Sequence, residues 1–167
     1  MTEQQGASNN ELLLAAAKDD NKELMDEVLE KGDFDVNSRD GVGNTALHLA
    51  AANGSTEVLE DILTCDDCDV DLINNLEKAT PLHLALLKLD GETLEYVVYQ
   101  LIESGADIKI KDKHGRTAVD LAQIKGIRDK VLQWDREAHG PPPPAISNDD
   151  VADDDDDDEP GSGSGSE

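Results

Sequence analysis

Apolar residues in this chain fall in short, helix-spaced pairs divided by polar stretches. The pairs are Val28-Leu29, Ile62-Leu63, Leu101-Ile102 and Val131-Leu132. Between them a longer signature recurs. Thr45-Ala46-Leu47-His48-Leu49-Ala50 returns 35 residues later as Thr80-Pro81-Leu82-His83-Leu84-Ala85, and 37 residues after that as Thr117-Ala118-Val119-Asp120-Leu121-Ala122. A fixed period of this size marks a stack of small units sharing one core. Each Thr reads as a helix N-cap, and Pro81 follows with a preset φ and no N–H left unpaired. Ala16-Ala17 and Ala50-Ala51 are small enough for neighbouring helices to approach closely. Gly54 and Gly126 read as stops of first helices, and Gly32 and Gly105 as stops of second helices. Asp40-Gly41-Val42-Gly43 and Asp112-Lys113-His114-Gly115 read as turns.

The pattern Asp-x-x-Gly-x-Thr-(Pro/Ala)-Leu-His-x-Ala-Ala-x-x-Gly resembles the ankyrin repeat, over roughly residues 10–136. The resemblance implies an all-α repeat fold, an ankyrin-repeat solenoid. It would hold about four helix-turn-helix units with projecting β-turns, followed by a disordered acidic tail. The expected organisation is a disordered N-terminus, 1–9; a repeat domain, 10–137, with units of about 10–39, 40–74, 75–111 and 112–137; and a Pro-rich linker and acidic tail, 138–167. The first unit lacks Thr-x-Leu-His and has Leu13 and Leu14 in its place; with Lys22, Asp26 and Glu30 on one face it reads as an N-terminal cap. The third has Lys78 where Gly is expected and one extra turn residue, so its hairpin tip is expected to be altered. About four more residues lie between Ala85 and Leu101, close to one helical turn, and predict a longer helix. These departures mark the expected weak interface of the stack. The fourth unit has Asp120 in place of His and reads as a C-terminal cap closed by Trp134.

Composition narrows the function. The formal charge is -25, from 39 acidic and 14 basic residues. Ten of the acids lie from Gly140 onward, where there is no Lys or Arg. Nucleic acid and acidic membrane are poor partners for such a chain, whereas a basic protein is attracted and steered. Pro141 to Pro144 favour a stiff polyproline II spacer, and the run Asp153 to Glu159 repels itself into an extended chain. Neither an apolar run of membrane length nor a signal-peptide core is present. The expectation is a cytoplasmic monomer, small enough for nuclear entry.

Candidate chemistry is thin. His48, His83 and Asp120 occupy the same repeat position; in the ankyrin family that His hydrogen-bonds between neighbouring repeats, so the set is read as structural rather than catalytic or metal-binding. Cys65-Asp66-Asp67-Cys68 has the spacing of half a zinc site, but no second pair matches it. Its acidic neighbours would raise a thiol pKa, against a redox role. The Asp run lacks the Gly-centred loop of a calcium hand, and phosphate-loop and dinucleotide fingerprints are absent. No enzyme and no cofactor is expected.

The resemblance places a protein partner on the turn tips and the exposed side of the first helices. The matching positions are Val42 and Asn44, Glu77 and Ala79, then Lys113, His114 and Arg116 on the tips, and Ala52, Asn53, Leu87, Lys88, Ile124 and Lys125 on the helices. Lys88, Lys113, Arg116 and Lys125 would make the C-terminal half of this face basic. The layout resembles small acidic-tailed fungal ankyrin-repeat proteins. It suggests a non-catalytic interaction module, in specific form an escort for a basic client such as a ribosomal protein or histone. The alternative is an adaptor or inhibitor subunit on a larger assembly (a kinase or the proteasome), with the tail a solubiliser.

Overall fold

The computed structural model describes residues 7–141. The expected disorder of residues 1–6 and 142–167 lies outside the described residues. Eight helices follow one another: α1 (Asn9–Asp19), α2 (Lys22–Lys31), α3 (Ala46–Asn53), α4 (Thr56–Leu63), α5 (Pro81–Lys88), α6 (Gly91–Glu103), α7 (Ala118–Lys125) and α8 (Arg128–His139). They form four antiparallel pairs, and there is no strand among the described residues. First helices pack in one row, α1 on α3, α3 on α5 and α5 on α7; second helices pack in another, α2 on α4, α4 on α6 and α6 on α8. The chain is thus a two-layer all-α solenoid.

One capping device starts every first helix. Ser8, Thr45, Thr80 and Thr117 each accept from the backbone N–H three residues on, and the side chains of Glu11, His48, His83 and Asp120 return a bond to the cap backbone. Such reciprocal pairs satisfy two N–H groups that a helix start leaves orphaned. In the first unit Ser8 and Glu11 fill the slots that lack Thr and His. The cap of α1 therefore lies at Ser8 and its first residue at Asn9, inside the span 1–9 expected to precede the repeats. At the other end α8 runs to His139, two residues past the expected boundary of 137, and Gly140 caps it.

The row of first helices is built on small residues. Ala16, Ala17, Ala50, Ala51, Ala85 and Ala122 are fully buried, letting backbones approach, while Leu13, Leu47, Leu82 and Leu121 fill the spaces between. Gly54 ends α3 at φ 68, and a Cβ there would meet Thr93 at 2.9 Å, so both conformation and space require glycine. The extra residues of the third unit lengthen α6 to 13 residues, against 8 for α4. That extension carries Tyr99 onto Trp134 of α8, edge to face at 5.6 Å. Between units, Asp20 accepts from the first free N–H groups of α4, at 3.1 Å from Glu57 and 3.2 Å from Val58. A carboxylate from the first unit thereby caps a helix of the second, whose own Ser55 makes no side-chain cap.

Candidate functional site

The turns that lead into first helices are built around one acceptor side chain each. Asp40 Oδ1 accepts from the N–H of Val42 (3.0 Å) and of Asn44 (2.9 Å). Asp112 Oδ1 does the same for His114 and Arg116, both at 2.9 Å. In the third unit Asn74 takes this role, accepting from Glu77 (3.0 Å) and Ala79 (3.1 Å) across a turn one residue longer. Lys78 holds the left-handed conformation at φ 52, where Gly43 (φ 86) and Gly115 (φ 76) stand in the other turns. The altered sequence thus keeps the turn's bonding and pushes its extra residue outward. Consecutive tips are tied together, since Asn75 N–H donates to the Val42 carbonyl and Lys113 N–H to the Glu77 carbonyl, both at 2.9 Å.

Two buried histidines brace these turns from below. His48 Nε2 lies 3.0 Å from the Ala79 carbonyl, and His83 Nε2 lies 2.9 Å from the Arg116 carbonyl. The backbone N–H of Thr45 and of Thr80 donates to Nδ1 of the respective ring. A backbone N–H only donates and a carbonyl only accepts, so each ring is neutral with its proton on Nε2. Burial pushes the His48 pKa down to about 4, outweighing the Ala79 carbonyl that favours the charged ring. Asp120, exposed in the last unit, makes only the local half of this arrangement, accepting from Thr117 N–H at 2.9 Å and Thr117 Oγ at 3.0 Å. Those bonds hold its carboxyl below the usual range. The repeated His is a clamp between one first helix and the next turn.

The cysteines are free thiols. Burial raises the Cys65 pKa, aided by Asp61, Asp66 and Asp67; burial first, then Cys65 and Asp69, push Cys68 up to about 12. Thiolate chemistry is disfavoured at both.

Seven of the expected partner-facing residues line one groove of about 560 Å³: Asn44, Ala52, Asn53, Glu77, Leu87, Lys88 and Arg116. Asn74, Leu76 and Leu84, which the sequence reading missed, complete it. Val42 is 41% and Ile124 74% exposed; Lys113 and His114 are exposed and Lys125 half-buried, all outside that groove. Ala79 is corrected. Its side chain is fully buried and its carbonyl is the His48 acceptor, so it braces the turn and offers no side chain to a partner.

The expected basic half is also corrected. Arg116 pairs with Asp112 at 2.8 Å, Lys113 with Glu77 at 3.6 Å and Lys125 with Asp90 at 2.5 Å. Burial opposes ionisation of Asp112, but the backbone and side-chain donors of Arg116 and the N–H of His114 hold its carboxyl below the usual range. Of the four cations, Lys88 alone has no ion pair among the described residues.

Comparison with known proteins gives this architecture its relatives. A family model described as ankyrin repeats (3 copies) matches residues 2–74. An ankyrin repeat-containing protein of Saccharomyces cerevisiae is 36% identical over 128 residues, covering 70% of this chain and 71% of the yeast protein. B-cell lymphoma 3 protein of Homo sapiens is 36% identical over 83 residues, 48% of this chain but 17% of that protein. The nuclear factor NF-kappa-B p105 subunit of Gallus gallus is 31% identical over 98 residues, 56% of this chain and 10% of the subunit. The chain therefore spans most of the yeast relative and a small part of the other two.

Proposed function

The chain belongs to the ankyrin-repeat family, and we propose that it is a non-catalytic protein-interaction module whose partner lies in the groove between the turn tips and the first helices. The observation that carries this reading is the gathering of seven expected residues, distant in sequence, into one groove. The finer proposal is an escort for a basic client. It rests on charge: residues 7–105 hold 22 Asp and Glu against 6 Lys and Arg, and residues 141–167 add 10 acids with no base. Such a field speeds the approach of a basic protein and shields it once bound. No helix among the described residues is long and apolar enough to cross a membrane.

The test is a crosslinked pull-down from native lysate, comparing residues 1–167 with 1–141 at low and at moderate salt. The cut at 141 leaves α8 whole. The escort reading expects a basic partner that is lost with the tail and with salt. A partner retained by 1–141 at moderate salt favours the docking adaptor and leaves the tail a solubiliser.

A further inference from the structure

We propose that the groove takes a segment which seats apolar side chains against Leu76 and Leu87 and carries Lys or Arg beside them. This rests on the groove being the partner surface and names the chemistry of its occupant.

The third turn carries the argument. In this turn, one residue longer than the others, Leu76 is 59% exposed and lines the groove. An exposed leucine on a mobile loop would lose much of its binding energy to ordering. This loop is already ordered: Asn75 N–H donates to the Val42 carbonyl, Lys113 N–H to the Glu77 carbonyl, and Lys113 Nζ to the Leu76 carbonyl at 3.2 Å. Leu76 is a preformed anchor.

The charged groups of the groove are largely committed within the fold. Arg116 is engaged by Asp112, and Glu77 by Lys113. Below the tips, Arg39 donates to the Gly43 carbonyl at 3.0 Å and the Ile73 carbonyl at 2.8 Å. An acidic segment would have to break such pairs or settle for Lys88. Apolar surface is what remains on offer: Leu76 at the tip, and Leu87, which occupies on α5 the place that Ala52 occupies on α3. The acid excess of residues 7–105, 22 acids against 6 bases, gives the chain as a whole a field that favours basic flanks on the segment.

Phage-displayed random dodecapeptides, selected on the immobilised full chain, test the proposal. An enriched peptide is then synthesised and titrated by fluorescence anisotropy against the wild type, Leu76→Asn, Leu87→Asn and a control on α6, Tyr96→Asn. Melting curves confirm that each variant is folded. The expected consensus has at least two apolar residues with Lys or Arg next to them. Leu76→Asn is expected to weaken binding about tenfold or more, as for a central anchor, and Tyr96→Asn less than about twofold. An acidic or wholly polar consensus whose peptides still depend on Leu87 overturns this inference and leaves the groove as the partner surface. Peptides indifferent to both leucines, a chain that binds only a second copy of itself, or no enrichment at all overturns the groove reading as well.

Discussion

The second and third turns, 40–44 and 74–79, perform one structural task with different residues. In the second, Asp40 organises the loop and Gly43 supplies the left-handed backbone. In the third, Asn74 organises it and Lys78 supplies the same conformation at a steric cost. Both end on a Thr that forms a reciprocal cap with a His three residues later. The shared part is what stacking requires: an acceptor under the turn, a cap, and a ring reaching the next unit. The differing part is at the tip, where a partner would read the molecule. An extra residue there costs little in bonding and gives the third turn an exposed leucine that the second lacks.

The largest test of the shared part is the clamp. His48→Ala removes the bond to the next turn, leaves the Ala79 carbonyl with the Asn74 N–H alone and empties a fully buried ring site, so it is expected to cost about 2–4 kcal/mol in urea unfolding. Asp120→Ala, at the same slot with no turn beyond it, removes only local capping bonds to Thr117 and is expected to cost much less than His48→Ala. Equal losses at the two positions would break the claim that the ring acts between units.

The same ring sets an acid sensitivity. Its folded pKa is about 4, below the ordinary 6.5. The unfolded chain therefore binds a proton that the folded chain refuses between those values. Stability from this group is present above pH 6.5 and is lost as pH falls toward 4. By pH 4.5 the loss is about 2–3 kcal/mol. Carboxylates titrate over the same range, so the check is a difference: the drop in urea stability from pH 7 to 4.5 is expected to be smaller in His48→Gln than in the wild type. Identical drops would remove His48 as a cause.

The two left-handed turn positions sharpen the comparison with opposite signs. Gly43→Ala places a Cβ 2.7 Å from the Asn75 backbone nitrogen at φ 86, and is expected to destabilise by about 1–3 kcal/mol. Lys78→Gly relieves a side chain held at φ 52, and is expected to stabilise by about 0.5–1 kcal/mol. Chemical denaturation of both variants decides. A destabilised Lys78→Gly would show that lysine contributes more to the turn than its backbone strain removes.

Much of this was legible in sequence, because helix caps and stops are local chemistry. The Thr caps, the stops at Gly54 and Gly126 and the longer α6 follow from residues read in place. The structural role of His48 followed from its recurrence. Ser8 and Glu11 escaped because the search was for Thr and His; the Ser-x-x-Glu spacing was the available signal. Asn74 and Leu76 escaped because the missing Gly and the added residue disguised the turn's register. Partnering between loops was not legible. The basic residues of the face looked available, but Lys113 and Lys125 find their carboxylates 36 and 35 residues away in sequence, a distance that only folding closes. Ala79 was misread for the same reason: its contribution is a carbonyl aimed inward at a ring 31 residues earlier. At the third unit, where the weak interface of the stack is expected, the tip is bonded on both sides, to Val42 and from Lys113.

The central claim, that a partner meets the third turn and the first helices, is tested most directly by hydrogen exchange of the full chain with and without a bound partner or selected peptide. The account predicts added protection at residues 74–79 and in α5, with α4, α6 and α8 unchanged. Protection confined to the second helices would contradict it.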